Sequence, residues 1–128
     1  MKIVVAALLK DQNYYLVARR AIGQSLEGYW EFPGGKLEKN ESIPNCIIRE
    51  IHEELNLEII PGDIFAESTH KYDKGEIKLI AIFAKIKSGQ IELRVHDRYK
   101  WLNPKDILTL NLAPADISIA LKLHALKS

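Results

Sequence analysis

The segment from Ser42 to Leu55 places the tightest constraint on this chain: it reads as a helix, and one of its acids falls on the side that must be buried. At about 100° per residue, Ile43, Ile47, Ile51 and Leu55 make an apolar stripe. On the same wheel Glu50, Glu53 and Glu54 lie within an arc of about 100°, and Glu54 shares its azimuth with Ile43 and Ile47. Ser42 is placed to cap the helix. Pro44 is tolerated in the first turn, where the amide it lacks would have no partner anyway, and Asn56 suits a left-handed terminator.

Three carboxylates on one partly buried face repel each other, and an unpaired buried charge is expensive, so something positive belongs there. Hard divalent cations such as Mg²⁺ or Mn²⁺ prefer oxygen ligands, and the i, i+3, i+4 spacing can deliver three side chains to one point. Arg49 sits on the adjoining flank, where it can fix a carboxylate or meet a phosphate. The competing reading is an ordinary solvated face. It is weakened because acids late in a helix sit near its negative end. From geometry alone both readings stand.

Around this helix the chain alternates between extended pieces and turns. Ile3 to Leu9 and Tyr14 to Ala18, separated by Lys10-Asp11-Gln12-Asn13, predict a hairpin. The first run is too short for a leader peptide, lacks a cleavage region and meets Lys10-Asp11 at once, so it reads as a buried strand. A loop from about Ala21 to Tyr29 leads to an extended Trp30-Glu31-Phe32. Pro33-Gly34-Gly35 then predicts a sharply turning, closely approached loop. Glu58 to Ile60, Ile64 to His70, Ile77 to Ile86 and Tyr99 to Leu102 read as strands. Pro104 to Leu108 predicts a helical turn, and Pro114 opens a closing helix through Ile117, Leu121 and Leu123.

A chain of 128 residues is long enough for one core and too short for two, so residues 1–128 are expected to form a single domain. Lys+Arg of 18 against Asp+Glu of 17 leaves no broad footprint for duplex nucleic acid or an anionic membrane. A small anionic ligand stays open. The lone Cys46 rules out an internal disulfide and a multi-cysteine zinc site, and it reads as a packing residue in a reduced, cytoplasmic setting. His70, His96 and His124 are scattered and read as surface or locally bonded; Trp30 and Trp101 read as partial core anchors.

From Gly35 the chain runs through five residues to Glu41, then seven to Arg49-Glu50-Ile51-His52-Glu53-Glu54-Leu55-Asn56-Leu57. This resembles the Nudix box, G-x5-E-x7-R-E-U-x-E-E-x-G-U with U apolar. The one departure is Asn56 for the last glycine, and asparagine is the next residue most tolerant of a left-handed backbone. Arg19-Arg20 and Gly28-Tyr29-Trp30-Glu31-Phe32-Pro33-Gly34-Gly35-Lys36 resemble the entry segment of MutT-like members. Leu112-Ala113-Pro114-Ala115-Asp116 is similar to the nucleotide-recognition segment of the CTP pyrophosphohydrolase branch. The resemblance covers most of the chain.

The resemblance implies an α/β fold, a Nudix-type α/β/α sandwich with a mixed β-sheet between helices. It implies Mg²⁺, with Mn²⁺ as a substitute, held by Glu50, Glu53, Glu54 and the Gly34 carbonyl. Glu41 becomes an accessory acid, Arg49 orients the carboxylates, and Arg20 and Lys36 meet phosphate. Glu31 and Phe32 line the nucleotide side, with Phe32 stacking on the base and Asp116 reading it. Relatives often add an acid in the loop before a tryptophan; Asp97 is the candidate here, against an exposed loop acid with no role.

The implied reaction is hydrolysis of a nucleoside triphosphate, such as CTP, a dCTP derivative or an oxidised deoxynucleotide, to monophosphate and pyrophosphate. The small-molecule nucleotide is the expected partner of a monomer or homodimer. Alternatives are an ADP-ribose or other dinucleotide pyrophosphatase, and a non-catalytic nucleotide-binding module on the same fold. His52-Glu53-Glu54-Leu55-Asn56 lacks the second histidine of a zinc-protease helix, and Gly34-Gly35-Lys36 lacks the spacing and hydroxyl of a P-loop.

Overall fold

In the computed structural model, which describes residues 1–126, one strand organises everything else. β1 (Lys2–Asp11) turns at Gln12-Asn13 into β2 (Tyr14–Arg20), with Asp11 opposite Tyr14 and Lys10 opposite Tyr15. Beyond that corner the two strands part. β1 runs parallel to β6 (Gly75–Gly89), whose other edge pairs antiparallel with β5 (Leu57–Tyr72). β2 pairs with the short β3 (Trp30–Glu31) and with β7 (His96–Leu102), so the expected hairpin becomes a fork.

The fork explains the burial of β1. Being central, it is buried on both faces, and its period of two splits the core. Val5, Ala7 and Leu9 pack with Cys46, Ile47, Ile51 and Leu55 of α1 (Ile43–Leu55). Ala6 and Leu8 pack with Ile107 of α2 (Pro104–Ile107) and with Ala115, Ile119, Ala120 and Leu123 of α3 (Pro114–Ala125). A mixed sheet between helical layers is the result, an α/β/α sandwich as the resemblance implies. Each large apolar side chain in these layers stabilises the fold by about 1.5–3 kcal/mol. Among the described residues no helix is long and apolar enough to cross a membrane.

Several local expectations are corrected. Gly34–Lys36 is not a loop but a strand, β4, paired antiparallel with Val4, Val5 and Ala6 of β1. Neither Gly34 nor Gly35 has positive φ, so these glycines provide room rather than an unusual backbone. The two pieces expected on either side of Pro61-Gly62-Asp63 are one strand, β5, which absorbs the interruption as register shifts between Pro61 and Ala66. β7 begins at His96, so His96 and Asp97 lie on a strand and not in a loop. In α3, Ile117 and Leu121 are exposed, while Asp116, Ile119 and Leu123 face inward.

The end of α1 follows the sequence reading. The Ser42 hydroxyl accepts from the Asn45 amide at 3.2 Å, and Asn56 ends the helix at φ 59°, ψ 35° with its amide donating to the His52 carbonyl. The register of the Glu50–Glu54 face is thereby fixed at both ends.

Candidate active site

β4 runs beside α1, and the side chain missing at Gly35 is what lets the helix face approach. A Cβ there would fall 2.1 Å from Glu50 Oε2, and one at Gly34 would fall 1.9 Å from the Val5 carbonyl oxygen. Gly35 thus holds open a slot for the Glu50 carboxylate against the sheet, and Gly34 lets β4 lie close on β1. Next to it lies a cavity of about 280 Å³ whose walls include Arg20, Glu31, Gly34, Gly35, Lys36, Glu50, Glu54, Tyr72 and Asp116. These residues come from β2, β3, β4, α1, β5 and α3, so the fork of the sheet assembles the site.

The outer rim of α1 is organised by Arg49. Its Nε and NH2 donate to the two Glu41 oxygens at 2.7 and 2.9 Å, and its NH1 donates to Glu50 at 2.6 Å and to Glu53 at 3.4 Å. NH2 also reaches the Lys36 carbonyl at 3.2 Å. The Arg49 fork is the main reason the Glu41 carboxyl is held down at about 2, helped by the Glu38 amide. The same carboxylates push the Arg49 value upward.

The inner wall is different. Burial first, and then the charges of Glu31 and Glu50, push the Glu54 carboxyl up to about 8. Its Oε1 is buried without a partner. Glu31 Oε2 meets His96 Nε2 at 2.9 Å and Arg20 NH1 at 3.4 Å. His96 is buried, and its Nδ1 has no partner. Asp116 accepts from the Phe32 amide at 2.9 Å, yet burial, reinforced by the Glu31 charge, raises its carboxyl well above the usual range.

The structure brings Arg20, Glu31, Gly34, Lys36, Glu50, Glu54 and Asp116 to one cavity. It does not bring Glu50, Glu53 and Glu54 to one point. Glu50 and Glu54 line the cavity, whereas Glu53, in contact with Arg49, is exposed at the rim. Two expectations fail. The Phe32 side chain is only 2% exposed and belongs to the core around α3, so it has no face free to stack on a base; its amide touches the site instead, through Asp116. Asp97 is off the cavity wall, with both oxygens taken by Arg19 at 2.7 and 3.0 Å, a pairing that lowers its pKa.

The reading of His96 as a surface or locally bonded residue is half right: it is bonded, but buried. Inward His96 beside outward Asp97 follows the strand period, a signal hidden by reading this stretch as a loop. Tyr72 carries no motif that marks it in the sequence; it lines the cavity, and its hydroxyl accepts from the Ala115 amide at 3.1 Å, tying β5 to the first turn of α3. Cys46 is buried, and burial foremost pushes its thiol up to about 12, which suits packing and not nucleophilic work. A larger recess of about 730 Å³, around Lys10, Ile60, Pro61 and Phe83, contains no carboxylate and lies apart from these groups.

Comparison with known proteins bears on the family and the fold. A family model described as NUDIX domain matches residues 1–123. The CTP pyrophosphohydrolase of Escherichia coli K12 is 33% identical over 125 residues, covering 98% of this chain and 93% of the relative. An 8-oxo-dGTP diphosphatase of Buchnera aphidicola subsp. Schizaphis graminum is 31% identical over 109 residues, covering 85% of this chain and 82% of its own. A solution structure of the DNA mismatch repair protein MutT, family Nudix hydrolase, from methicillin-resistant Staphylococcus aureus 252 superposes with a TM-score of 0.75. It is 38% identical and covers 95% of this chain and 94% of that one.

Proposed function

The chain belongs to the Nudix family, and from that premise we propose that it hydrolyses a nucleoside triphosphate to monophosphate and pyrophosphate with Mg²⁺ as the cation. The observation that carries this reading is the composition of one cavity. Carboxylates of α1, the three cationic side chains of Lys2, Arg20 and Lys36, and a buried acid share its walls. The relatives named for CTP and for 8-oxo-dGTP both act on triphosphates and differ in the base. The candidates are accordingly CTP, a dCTP derivative or an oxidised deoxynucleotide.

The residues present fit a divalent cation. Glu54 has a buried oxygen without a partner and a carboxyl forced up by burial and by two neighbouring acids, an arrangement that a cation relieves. Glu50, Glu54 and the Gly34 carbonyl, which share the cavity, would hold it, and Glu53 would join them only by turning in from the rim. When bound, such an ion neutralises polyphosphate charge and acidifies a coordinated water.

The protein's own groups divide the remaining work. Arg20 and Lys36 attract the phosphates and fix their position in the cavity, which lowers the entropic part of the barrier. Arg49 holds Glu50 and Glu53 in place from outside. Glu53, open to water at the rim, takes the proton from the attacking water, because Asp97 is engaged elsewhere. Asp116 faces the base at the far wall, accepting from an exocyclic amine when ionised and donating when protonated.

A panel of nucleoside triphosphates in Mg²⁺, scored for pyrophosphate against orthophosphate, tests the reading. Pyrophosphate release is expected, with the ranking of bases changed in Asp116→Ala. Orthophosphate as the product would refute the reaction, and an unchanged ranking would remove Asp116 from base selection.

A further inference from the structure

One side-chain cluster in the cavity wall adds an imidazole nitrogen to an α1 carboxylate. Among the described residues, the acid and histidine side chains whose ligand-capable atoms converge are Glu31, Glu54 and His96, all within 4.8 Å of one another. They come from β3, α1 and β7, so each is carried by a regular element rather than a loop. An ion about 2.0–2.2 Å from each of three ligands holds them roughly 3–3.8 Å apart, so a contraction of about 1 Å or a little more closes the set.

A further observation points to a ligand: Glu54 Oε1 is buried without any partner, beside a His96 side chain that is itself fully buried. Arg20 competes only weakly. Its contact with Glu31, at 3.4 Å, is the longest of its three, and its Nε and NH2 are anchored on Ser25 at 3.0 and 3.3 Å.

We propose that His96 Nε2, Glu31 and Glu54 bind a second, nitrogen-accepting divalent cation of the Mn²⁺ class, sharing Glu54 with the ion held by Glu50 and Glu53. A mixed imidazole and carboxylate set favours Mn²⁺, Co²⁺ or Zn²⁺ over Mg²⁺, which prefers oxygen and keeps its waters. When Nε2 ligates, the proton sits on Nδ1, which lacks the outer partner that usually stiffens a ligating histidine. The ion is therefore exchangeable and not structural. The site rests on the carboxylate cavity being a metal site, but not on which nucleotide is cleaved.

Pulsed electron paramagnetic resonance of Mn²⁺ bound to the intact protein tests it without turnover. The expected result is nuclear modulation from a directly bound imidazole ¹⁴N in the wild type. It disappears in His96→Gln, together with the loss of an equivalent of bound Mn²⁺ in an equilibrium titration. Glu31→Gln, which leaves the imidazole in place, is expected to keep the ¹⁴N signal at saturating Mn²⁺ while raising the dissociation constant by about 10- to 100-fold. Thermal unfolding of both variants reports whether they fold. Mn²⁺ bound by the wild type without ¹⁴N modulation would overturn the proposal and leave the Mg²⁺ reaction untouched. No bound Mn²⁺ at all would overturn both.

Discussion

The two sides of α1 treat the same side chain in opposite ways. On the rim, Glu41, Glu50 and Glu53 are satisfied by one guanidinium, and the network is complete without a ligand. On the inner wall, Glu54 and Asp116 are buried and pushed toward protonation, and Glu31 leans on a buried histidine. On the proposed reading the rim provides orientation and, in Glu53, the base, while the wall carries unfavourable charge that a cation and a nucleotide would relieve.

The largest way to break this division is to neutralise the wall or the rim base. Glu54→Gln and Glu53→Gln are each expected to lower kcat by about 10²–10⁴-fold, measured as pyrophosphate release in saturating Mg²⁺. Loss of less than tenfold in both would mean that neither acid takes part. Next in size is Gly35→Ala. Because Gly35 has no positive φ, the backbone tolerates alanine, but the new methyl group meets Glu50 at 2.1 Å. The fold is expected to survive by circular dichroism while Mg²⁺ affinity falls by about 10- to 100-fold.

Asp116→Asn sharpens the comparison through stability. The folded-state value of Asp116 is raised, so its favourable contribution is present below the unfolded value of about 3.9 and is lost as pH rises through the folded value. Above the unfolded value the buried acid either ionises without solvent or keeps a proton that the unfolded chain releases, whereas a neutral carboxamide at this position avoids both and still offers an oxygen to the Phe32 amide. The variant is expected to melt higher than wild type at pH 8, with the gap closing below about pH 4. A lower Tm at pH 8 would contradict the strained wall.

The rim predicts the opposite sign. Glu41 is depressed to about 2, so its contribution is present above the unfolded value of about 4.3 and lost as pH falls toward 2. Glu41→Gln is expected to lower the Tm at pH 6 and to match wild type near pH 2. An equal deficit at both would show that the ion pair with Arg49 contributes nothing. The smallest effect is expected for Asn56→Gly, since the position is already left-handed and glycine accepts that backbone freely. Chemical denaturation should place it within about 1 kcal/mol of wild type.

What the sequence announced and what it hid follow the same division. The α1 face was readable because helical periodicity converts spacing into direction, and Ser42 and Asn56 mark its ends. The forked sheet was not, because nothing local says that β1 leaves its hairpin partner to run parallel to β6. Gly34 and Gly35 read as a turn because glycine is the usual sign of one, whereas here it marks close approach. Phe32 and Asp97 were misplaced for different reasons: Glu31 and Phe32 are neighbours in an extended piece and face opposite ways, so both cannot line one side, whereas Asp97 was read in a loop and lies on β7. His96 stayed hidden behind that same error.

The central claim is that the acids of this cavity share divalent cations that also grip a polyphosphate. Crystals grown with Mn²⁺ and a triphosphate carrying an uncleavable α,β-imido bridge, measured at the manganese absorption edge, test it directly. The account predicts anomalous peaks beside Glu50, Glu53 and Glu54 that bridge to phosphate oxygens. A well-ordered nucleotide in the cavity with no peak beside those side chains would contradict it.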